Sequence, residues 1–273
     1  MTFDFTHPDV RRAIDNALAE DIGTGDITAQ ACISVDLVAE ARFVVKQELT
    51  LAGIELLHLL FEGAELRSSS GQRVGPGEIL ATVRGSARQL ITRERTALNF
   101  LQRLSGVATM AAKFVSAVEG TGVRILDTRK TTPGLRVLEK MASAAGGAVN
   151  HRMGLYDAVL IKNNHIRLAG GVSRAIVRAR AAGKPIEVEV RTRVEIEDAL
   201  AARAGRLLLD NMTPEEAESE IRFIDGRAET EISGGVTLDN VRAYAEGHPD
   251  FISSGAITHS APAVDINCGI YAL

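Results

Sequence analysis

The sequence predicts an α/β protein in which a small N-terminal α/β domain precedes a parallel α/β barrel, closed or open. In the C-terminal half, short apolar runs alternate with amphipathic helical stretches, the pattern of parallel strands joined by helical crossovers. The N-terminal third shows strand-like alternation and dense turns instead. With 273 residues, of which 45% are hydrophobic, the chain can bury a large core.

Six apolar runs supply the predicted barrel strands. They lie at residues 123–127, 158–162, 186–190, 207–210, 229–233 and 251–253. Helix signals separate the runs. For example, Thr213 is followed by Pro214 and Glu216, a capping pattern with proline at the favoured first helical position. Six or seven such strand–helix units favour a barrel over a flat sheet.

The N-terminal region is predicted to begin with a helix over residues 8–20. Strands are predicted at residues 39–45 and 79–83. A long helical stretch over residues 87–119 then leads into the barrel, and Gly106 is expected to kink or split it.

Composition excludes several classes of protein. A formal net charge of −4 and a pI of about 5.9 make general nucleic-acid binding a poor hypothesis. No apolar run approaches the ~20 residues that cross a bilayer, and residues 1–4 lack a signal-peptide pattern. The two cysteines, Cys32 and Cys268, lack metal-ligand spacing. We therefore expect a cytoplasmic protein with idle thiols.

Polar residues end nearly every predicted barrel strand. They are Asp127, Lys162, Glu189, Asp210, Ser233 and the run Ser253–Gly255. Helix capping would explain one or two of them. Because the carboxyl ends of parallel strands share one face of a barrel, where active sites lie, the full set predicts a site there.

Basic residues are concentrated in the same part of the sequence. They are Arg129, Lys130, His151, Arg152 and Lys162. Such a cluster in a net acidic protein repels itself unless anions fill it, and Arg and Lys bind carboxylate and phosphate through charge-assisted hydrogen bonds. The sequence therefore favours a small polyanionic ligand, with solvated surface charges as the alternative.

Two glycine-bearing turns follow the last two predicted strands. They are Ser233-Gly234-Gly235 and Ser254-Gly255-Ala256, and helices are predicted after them. Glycine lets backbone N–H groups approach an anion, and a helix N-terminus adds a favourable dipole. The last two units of such barrels often bind phosphate in this way.

Glu189 and Asp210 are carboxylates at the ends of neighbouring predicted strands. Glu187 and Glu189 share one side of their strand. A glutamate inside a barrel needs a partner or a ligand. Ribose hydroxyls, magnesium or a developing positive sugar carbon would each serve, and a salt bridge to a core arginine is the alternative.

Longer motifs resemble the quinolinate phosphoribosyltransferase family, also called carboxylating nicotinate-nucleotide pyrophosphorylase. The most specific segment is residues 126–136, LDTRKTTPGLR. Further motifs lie in the expected order at residues 19–28, 94–102, 150–157, 209–212 and 255–260. The resemblance covers almost the whole chain. One departure is Asn163, which stands where the family usually has aspartate.

The resemblance implies a type II phosphoribosyltransferase fold. Residues 1–110 would form an α/β sandwich with the long helical connection, and residues 111–260 an open, seven-stranded α/β barrel that carries the active site. Residues 261–273 would return to the N-terminal domain. The family forms homodimers in which the arginine matching Arg95 reaches the neighbour's site.

Residue roles also follow from the resemblance. Quinolinate would be surrounded by Arg95, Thr128, Arg129, Lys130, His151, Arg152 and Lys162. Glu189 and Asp210 would lie near the ribose and Mg²⁺, and the two glycine turns would bind the 5-phosphate. The catalytic groups would be Lys130, His151, Glu189 and Asp210.

The implied activity is decarboxylating transfer of phosphoribosyl from phosphoribosyl pyrophosphate to quinolinate in NAD biosynthesis. Enzymatic alternatives are transfer to another pyridine acid, such as nicotinate, and a sugar-phosphate barrel of other chemistry. A non-catalytic accessory paralogue is the remaining alternative, and it predicts loss of the Arg and Lys set that this chain retains.

Overall fold

The structure, a computed structural model, describes residues 5–273, so the N-terminal residues 1–4 lie outside the described part. The chain divides into two compact units. The first is formed by the chain up to Ala112 together with Thr131–Gly147 and Ile257–Leu273, and the second by Lys113–Lys130 and Ala148–Ala256. None of the described helices is both long and apolar enough to span a bilayer.

The N-terminal part of the chain contains the four elements predicted there and several short ones. Its elements are α1 (Pro8–Ile22), α2 (Ile27–Cys32), β1 (Val38–Val45), β2 (Leu49–Thr50), α3 (Leu57–Leu60), β3 (Glu65–Leu66), β4 (Arg73–Val74), β5 (Ile79–Ser86) and α4 (Ala87–Ala117). The predicted helix at residues 8–20 and the strands at 39–45 and 79–83 are confirmed.

The remainder of the chain alternates strands and helices. Its elements are β6 (Arg124–Leu126), α5 (Arg136–Ala145), β7 (Val159–Ile161), α6 (Asn163–Ala169), α7 (Val172–Ala179), β8 (Ile186–Val190), α8 (Arg193–Ala201), β9 (Arg206–Asp210), α9 (Pro214–Ile224), β10 (Glu229–Ser233), α10 (Val241–Ala245), β11 (Phe251–Ser253), α11 (Ala256–His259) and β12 (Ile266–Ala272). All six predicted barrel strands are confirmed, with ends within one residue or two.

The first unit is built on an antiparallel sheet in the order β12-β1-β5-β3. The last strand of the chain pairs with the first one, from Ala39 opposite Ala272 to Val45 opposite Ile266. The predicted barrel range 111–260 contains two segments that group with this unit instead, namely Thr131–Gly147, which carries α5, and residues 257–260.

Helix α4 is continuous from Ala87 to Ala117, so Gly106 does not split it, and the alternative of a kink stays a prediction. The glycine serves close packing instead. A Cβ atom at Gly106 would lie 2.1 Å from the carbonyl oxygen of Pro262, a distance that no side chain tolerates. The segment before β12 therefore passes directly over the helix backbone at this position.

The second unit contains a six-stranded parallel sheet in the order β6-β11-β10-β9-β8-β7. Within the described chain, β6 and β7 are the two end strands of this sheet and do not pair with each other, so the barrel is open. The resemblance implied seven strands, and here the seventh is reduced to a single parallel bridge between Leu126 and Val149. Strand β8 is buried on both faces, with Val188 and Val190 fully covered, as expected of a parallel sheet.

The two cysteines differ in accessibility, which gives a direct test. Cys32 is exposed and Cys268 on β12 is buried. Burial, reinforced by the charge of Glu94, raises the pKa of Cys268 to about 12. Because the thiolate is the reactive form, only about one Cys268 in ten thousand is ionised at pH 8. We expect a disulfide reagent to label one thiol in the native protein and two in denaturant. A Cys32→Ser variant that still reacts rapidly would contradict this.

Candidate active site

The carboxyl ends of the parallel strands meet at one edge of the second unit, as predicted. Parallel register places Ser233 beside Asp210 and Glu189 beside Leu208. Lys162 follows the end of β7, and Ser254 follows β11. The sheet therefore gathers the polar strand ends on one side, where loops can add further groups.

The turn that carries His151 and Arg152 is fixed by two carboxylates. Buried Asp127 accepts hydrogen bonds from the His151 backbone N–H at 2.8 Å and from the Asn150 side-chain amide at 2.6 Å. Asp157 accepts the N–H groups of Met153 and Gly154 at 2.6 and 3.0 Å. Both ends of the 150–154 turn are thus held, which limits its freedom to rearrange.

His151 lies in the barrel interior with both ring nitrogens engaged. Its Nε2 is 3.0 Å from Glu187 and 3.5 Å from Glu231, and its Nδ1 accepts the Arg152 backbone N–H at 2.8 Å. Burial disfavours charge on the ring, but the close carboxylates of Glu187 and Glu231 outweigh it and raise the pKa of His151 to about 9. The Arg152 backbone N–H opposes protonation of the ring, because a protonated Nδ1 has no lone pair with which to accept this hydrogen bond. The contacts as they stand fit the neutral ring with its proton on Nε2.

Arg129 and Arg152 bring two guanidinium groups close together. Burial, and then the positive charge of Arg129, lower the pKa of Arg152. Arg152 donates to the backbone oxygen of Ala158 at 3.2 Å, whereas the buried Nε of Arg129 has no hydrogen-bond partner among residues 5–273. A buried, unpaired donor beside a second cation is unfavourable unless an anion binds there.

The remaining predicted basic residues occupy more open positions. Lys162 Nζ is 3.7 Å from Glu189, and the Lys162 side chain is about half exposed. The Lys130 side chain is exposed, and its backbone N–H donates to Thr128 Oγ1 at 3.0 Å, which shapes the turn after β6. Arg95 belongs to the first unit, where it is exposed on α4. The alternative of a core arginine paired with Glu189 is not seen, since its partner is Lys162.

The glycine turn after β10 is dictated by a close approach. Gly234 has φ +94°, and a Cβ there would lie 2.3 Å from Asn211 Oδ1. The Asn211 side-chain amide donates to Asp210 at 2.8 Å. Ser254 Oγ donates to the Val236 oxygen at 2.8 Å and so ties the two turns together. Helix α11 starts directly after Gly255, but α10 starts only at residue 241, so only the second turn leads straight into a helix.

Two sets of residues could hold a metal ion. Within the described chain, one group of three ligand-type residues lies close enough, namely His151, Glu187 and Glu231, whose ligand atoms are all within 4.8 Å of one another. Arg206 already brings a cation within 3.6 Å of Glu231. Glu189 and Asp210 are the second set. They lie on the adjacent strands β8 and β9, and carboxylate oxygens are the ligands that Mg²⁺ prefers.

Sequence reasoning missed three residues that shape the site. Asp127 was noted only as a strand end, and neither Glu231 nor Asn211 was singled out. Glu231 carried a usable signal, because an acidic residue between Thr230 and Ile232 in a strand buried on both faces needs a partner. No comparable signal identifies Asn211, since its role depends on the path of the turn at Gly234.

A cleft of about 360 Å³ opens in the first unit. It is lined by residues of α1, of α4 and of the segment 133–135, among them Glu20, Thr96 and Arg103. None of the predicted site residues lines it. Chemistry, and not cavity size, therefore locates the candidate site.

Comparison with known proteins agrees with this architecture. Residues 26–105 match the family model of the quinolinate phosphoribosyl transferase N-terminal domain, and residues 107–268 match that of its C-terminal domain. A curated relative from Bacillus subtilis, named as a probable carboxylating nicotinate-nucleotide pyrophosphorylase, is 39% identical over 97% of this chain and 94% of its own.

Solved structures give the same answer. NadC from Streptococcus pyogenes superposes with a TM-score of 0.93 at 35% identity, covering 100% of this chain and 99% of its own. The nicotinate-nucleotide pyrophosphorylase from Francisella tularensis superposes with a TM-score of 0.91 at 38% identity, covering 96% of each chain. The chain belongs to the quinolinate phosphoribosyltransferase family.

Proposed function

We propose that this protein transfers the phosphoribosyl group of phosphoribosyl pyrophosphate to quinolinate, giving nicotinate mononucleotide, carbon dioxide and pyrophosphate for NAD biosynthesis. The observation that carries the proposal is the buried Arg129 Nε, which lies near the charge of Arg152 and has no hydrogen-bond partner in the part of the chain that the structure describes. A dianionic pyridine would neutralise this pair. The names of the curated relatives support the same reaction.

Attack of the pyridine nitrogen on the sugar carbon forms the new bond as the bond to pyrophosphate breaks. The positive ring nitrogen then favours loss of the neighbouring carboxylate as carbon dioxide, and the electron pair left on the ring carbon takes a proton. We assign this proton to Lys130, because both nitrogens of His151 are engaged. Arg129 and Arg152 orient the substrate, and orientation supplies much of the rate.

Glu189 and Asp210 fit a role beside the pentose. The Asn211 amide orients Asp210 at 2.8 Å, and Lys162 lies 3.7 Å from Glu189. These carboxylates would hold Mg²⁺, directly or through water, and the ion would neutralise charge on the departing pyrophosphate. They also stabilise positive charge on the sugar carbon. The turns at 233–235 and 254–256 would bind the 5-phosphate through backbone N–H groups.

A homodimer is part of the proposal. Arg95 is exposed on α4 and has no hydrogen bond or salt bridge to another described residue, so its guanidinium is available to a neighbouring subunit's site. Higher assembly and the cytoplasmic location remain predictions from the sequence.

Product identification tests the function directly. The protein is mixed with quinolinate, phosphoribosyl pyrophosphate and Mg²⁺, and products are identified by mass while carbon dioxide is trapped. We expect nicotinate mononucleotide with one carbon dioxide per molecule formed. Turnover of nicotinate without carbon dioxide would support the other pyridine acid, and no turnover of either would support the accessory paralogue.

A further inference from the structure

The buried cluster of His151, Glu187 and Glu231 has no role in the reaction proposed above. Glu231 on β10 is fully buried, and Glu187 on β8 is 7% exposed. Oε1 of Glu187 and both carboxylate oxygens of Glu231 lack a hydrogen bond of normal geometry to any described residue. Burying two carboxylates is unfavourable. Stabilisation of the fold is therefore a weak explanation for the presence of this cluster.

The contacts of His151 link this cluster to the turn that carries Arg152. Glu187, at 3.0 Å, accepts from the Nε2 side of the ring, and this leaves Nδ1 to accept the Arg152 backbone N–H at 2.8 Å. Without an acceptor at Nε2 the ring has no reason to keep this orientation. The backbone of Arg152 therefore depends on a carboxylate of β8.

Glu231 lies near the same ring nitrogen as Glu187. Its Oε2 lies 3.5 Å from His151 Nε2 and 3.6 Å from Arg206 Nη1 at the start of β9. The Arg206 guanidinium partly compensates the second carboxylate, so the cluster is balanced by a side chain of the protein and needs no metal ion. The two glutamates lie at the Nε2 edge of the imidazole and together fix the orientation of the ring.

Arg152 is the residue through which this arrangement reaches the site. Its backbone is held by His151, its guanidinium donates to Ala158 O at 3.2 Å, and it shares its surroundings with the charge of Arg129. The positive charges of Arg129 and Arg152 repel each other. The Arg152 backbone must therefore be held in place if the guanidinium is to make a bidentate contact to a carboxylate.

We propose that Glu187 and Glu231 are positioning residues that act through His151 to hold Arg152 in place for the quinolinate carboxylate. His151 is then a positioning residue as well, and not a proton donor. The inference rests on the proposed function for its kinetic test, whereas its structural test is independent of any substrate.

The kinetic test compares two substitutions of similar size, Glu187→Leu and Glu187→Gln. The glutamine oxygen can still accept from His151 Nε2, and the leucine cannot. We expect Glu187→Leu to raise KM for quinolinate about tenfold or more, with KM for phosphoribosyl pyrophosphate within about twofold. Glu187→Gln should stay near wild type. Equal effects on both KM values would overturn the inference. If Glu187→Leu does not fold, Glu231→Leu takes its place.

A double variant separates action through Arg152 from action elsewhere. If Glu187 works by placing Arg152, the variant Glu187→Leu/Arg152→Ala should have the same kcat/KM for quinolinate as Arg152→Ala, within about threefold. Multiplied losses in the double variant would show an independent role and overturn the inference.

Hydrogen exchange gives the test that needs no substrate. The Arg152 amide is protected by His151 Nδ1, so a peptide spanning residues 149–154 should lose protection in Glu187→Leu and keep it in Glu187→Gln. Unchanged exchange in the leucine variant would overturn the inference. If the wild-type protein fails to use quinolinate while the two variants show this exchange pattern, the proposed function alone is overturned.

Discussion

Replacement of Arg152 by alanine is expected to lower kcat/KM for quinolinate at least about tenfold. Each charge-assisted hydrogen bond contributes about 1.5–3 kcal/mol, equivalent to roughly 10- to 100-fold. Loss of the Arg152 guanidinium also removes one of the two neighbouring positive charges, so that only Arg129 remains. Steady-state kinetics with quinolinate as the varied substrate measure the effect.

Two controls make the Arg152 result specific. Arg152→Lys keeps the positive charge but cannot make a bidentate contact, so its kcat/KM for quinolinate should lie between those of wild type and Arg152→Ala. Arg222→Ala removes an exposed arginine of α9 that pairs with Glu218, and it should leave kcat/KM unchanged. If Arg152→Ala matched wild type, Arg152 would have no contact with the substrate.

Replacement of Glu139 by alanine is expected to cause the largest loss of stability. Glu139 on α5 is fully buried and accepts from Arg103 at 2.8 and 3.0 Å, from Thr132 N–H at 3.0 Å and from Thr132 Oγ1 at 2.7 Å. Removing one partner of such a pair leaves a charge uncompensated and costs about 3–5 kcal/mol. At about 2–4 °C per kcal/mol, Tm should fall by roughly 6–20 °C.

An exposed pair in the same unit provides the comparison for Glu139. Glu48 and Arg73 lie 2.7 Å apart, but their side chains are 61% and 77% exposed. Glu48→Ala should change the free energy of unfolding by less than about 1 kcal/mol. Thermal unfolding of both variants under one set of conditions measures the difference, and equal shifts in Tm would refute the special role of Glu139.

The fold was largely predictable because its signals are local. Short apolar runs, capping residues such as Thr213 and the long helical pattern after residue 87 depend on neighbours within a few positions. The strand ends were predictable for the same reason, and parallel topology then placed Asp210 and Ser233 on one edge. At Gly106, an interpretation from local sequence did not reveal the contact with the distant Pro262.

Sequence alone determined the parallel barrel, the family motifs and the set of charged residues at the strand ends, since each is written in short-range patterns. Only the tertiary structure decided which of these charges meet. It placed Glu187 and Glu231 around His151, left Arg129 Nε without a partner and grouped α5 with the first unit. The physical reason is that side chains alternate between the two faces of a strand, so the sequence indicates the face on which each one lies. The partner that a side chain meets across the barrel depends on packing between strands that are remote in sequence.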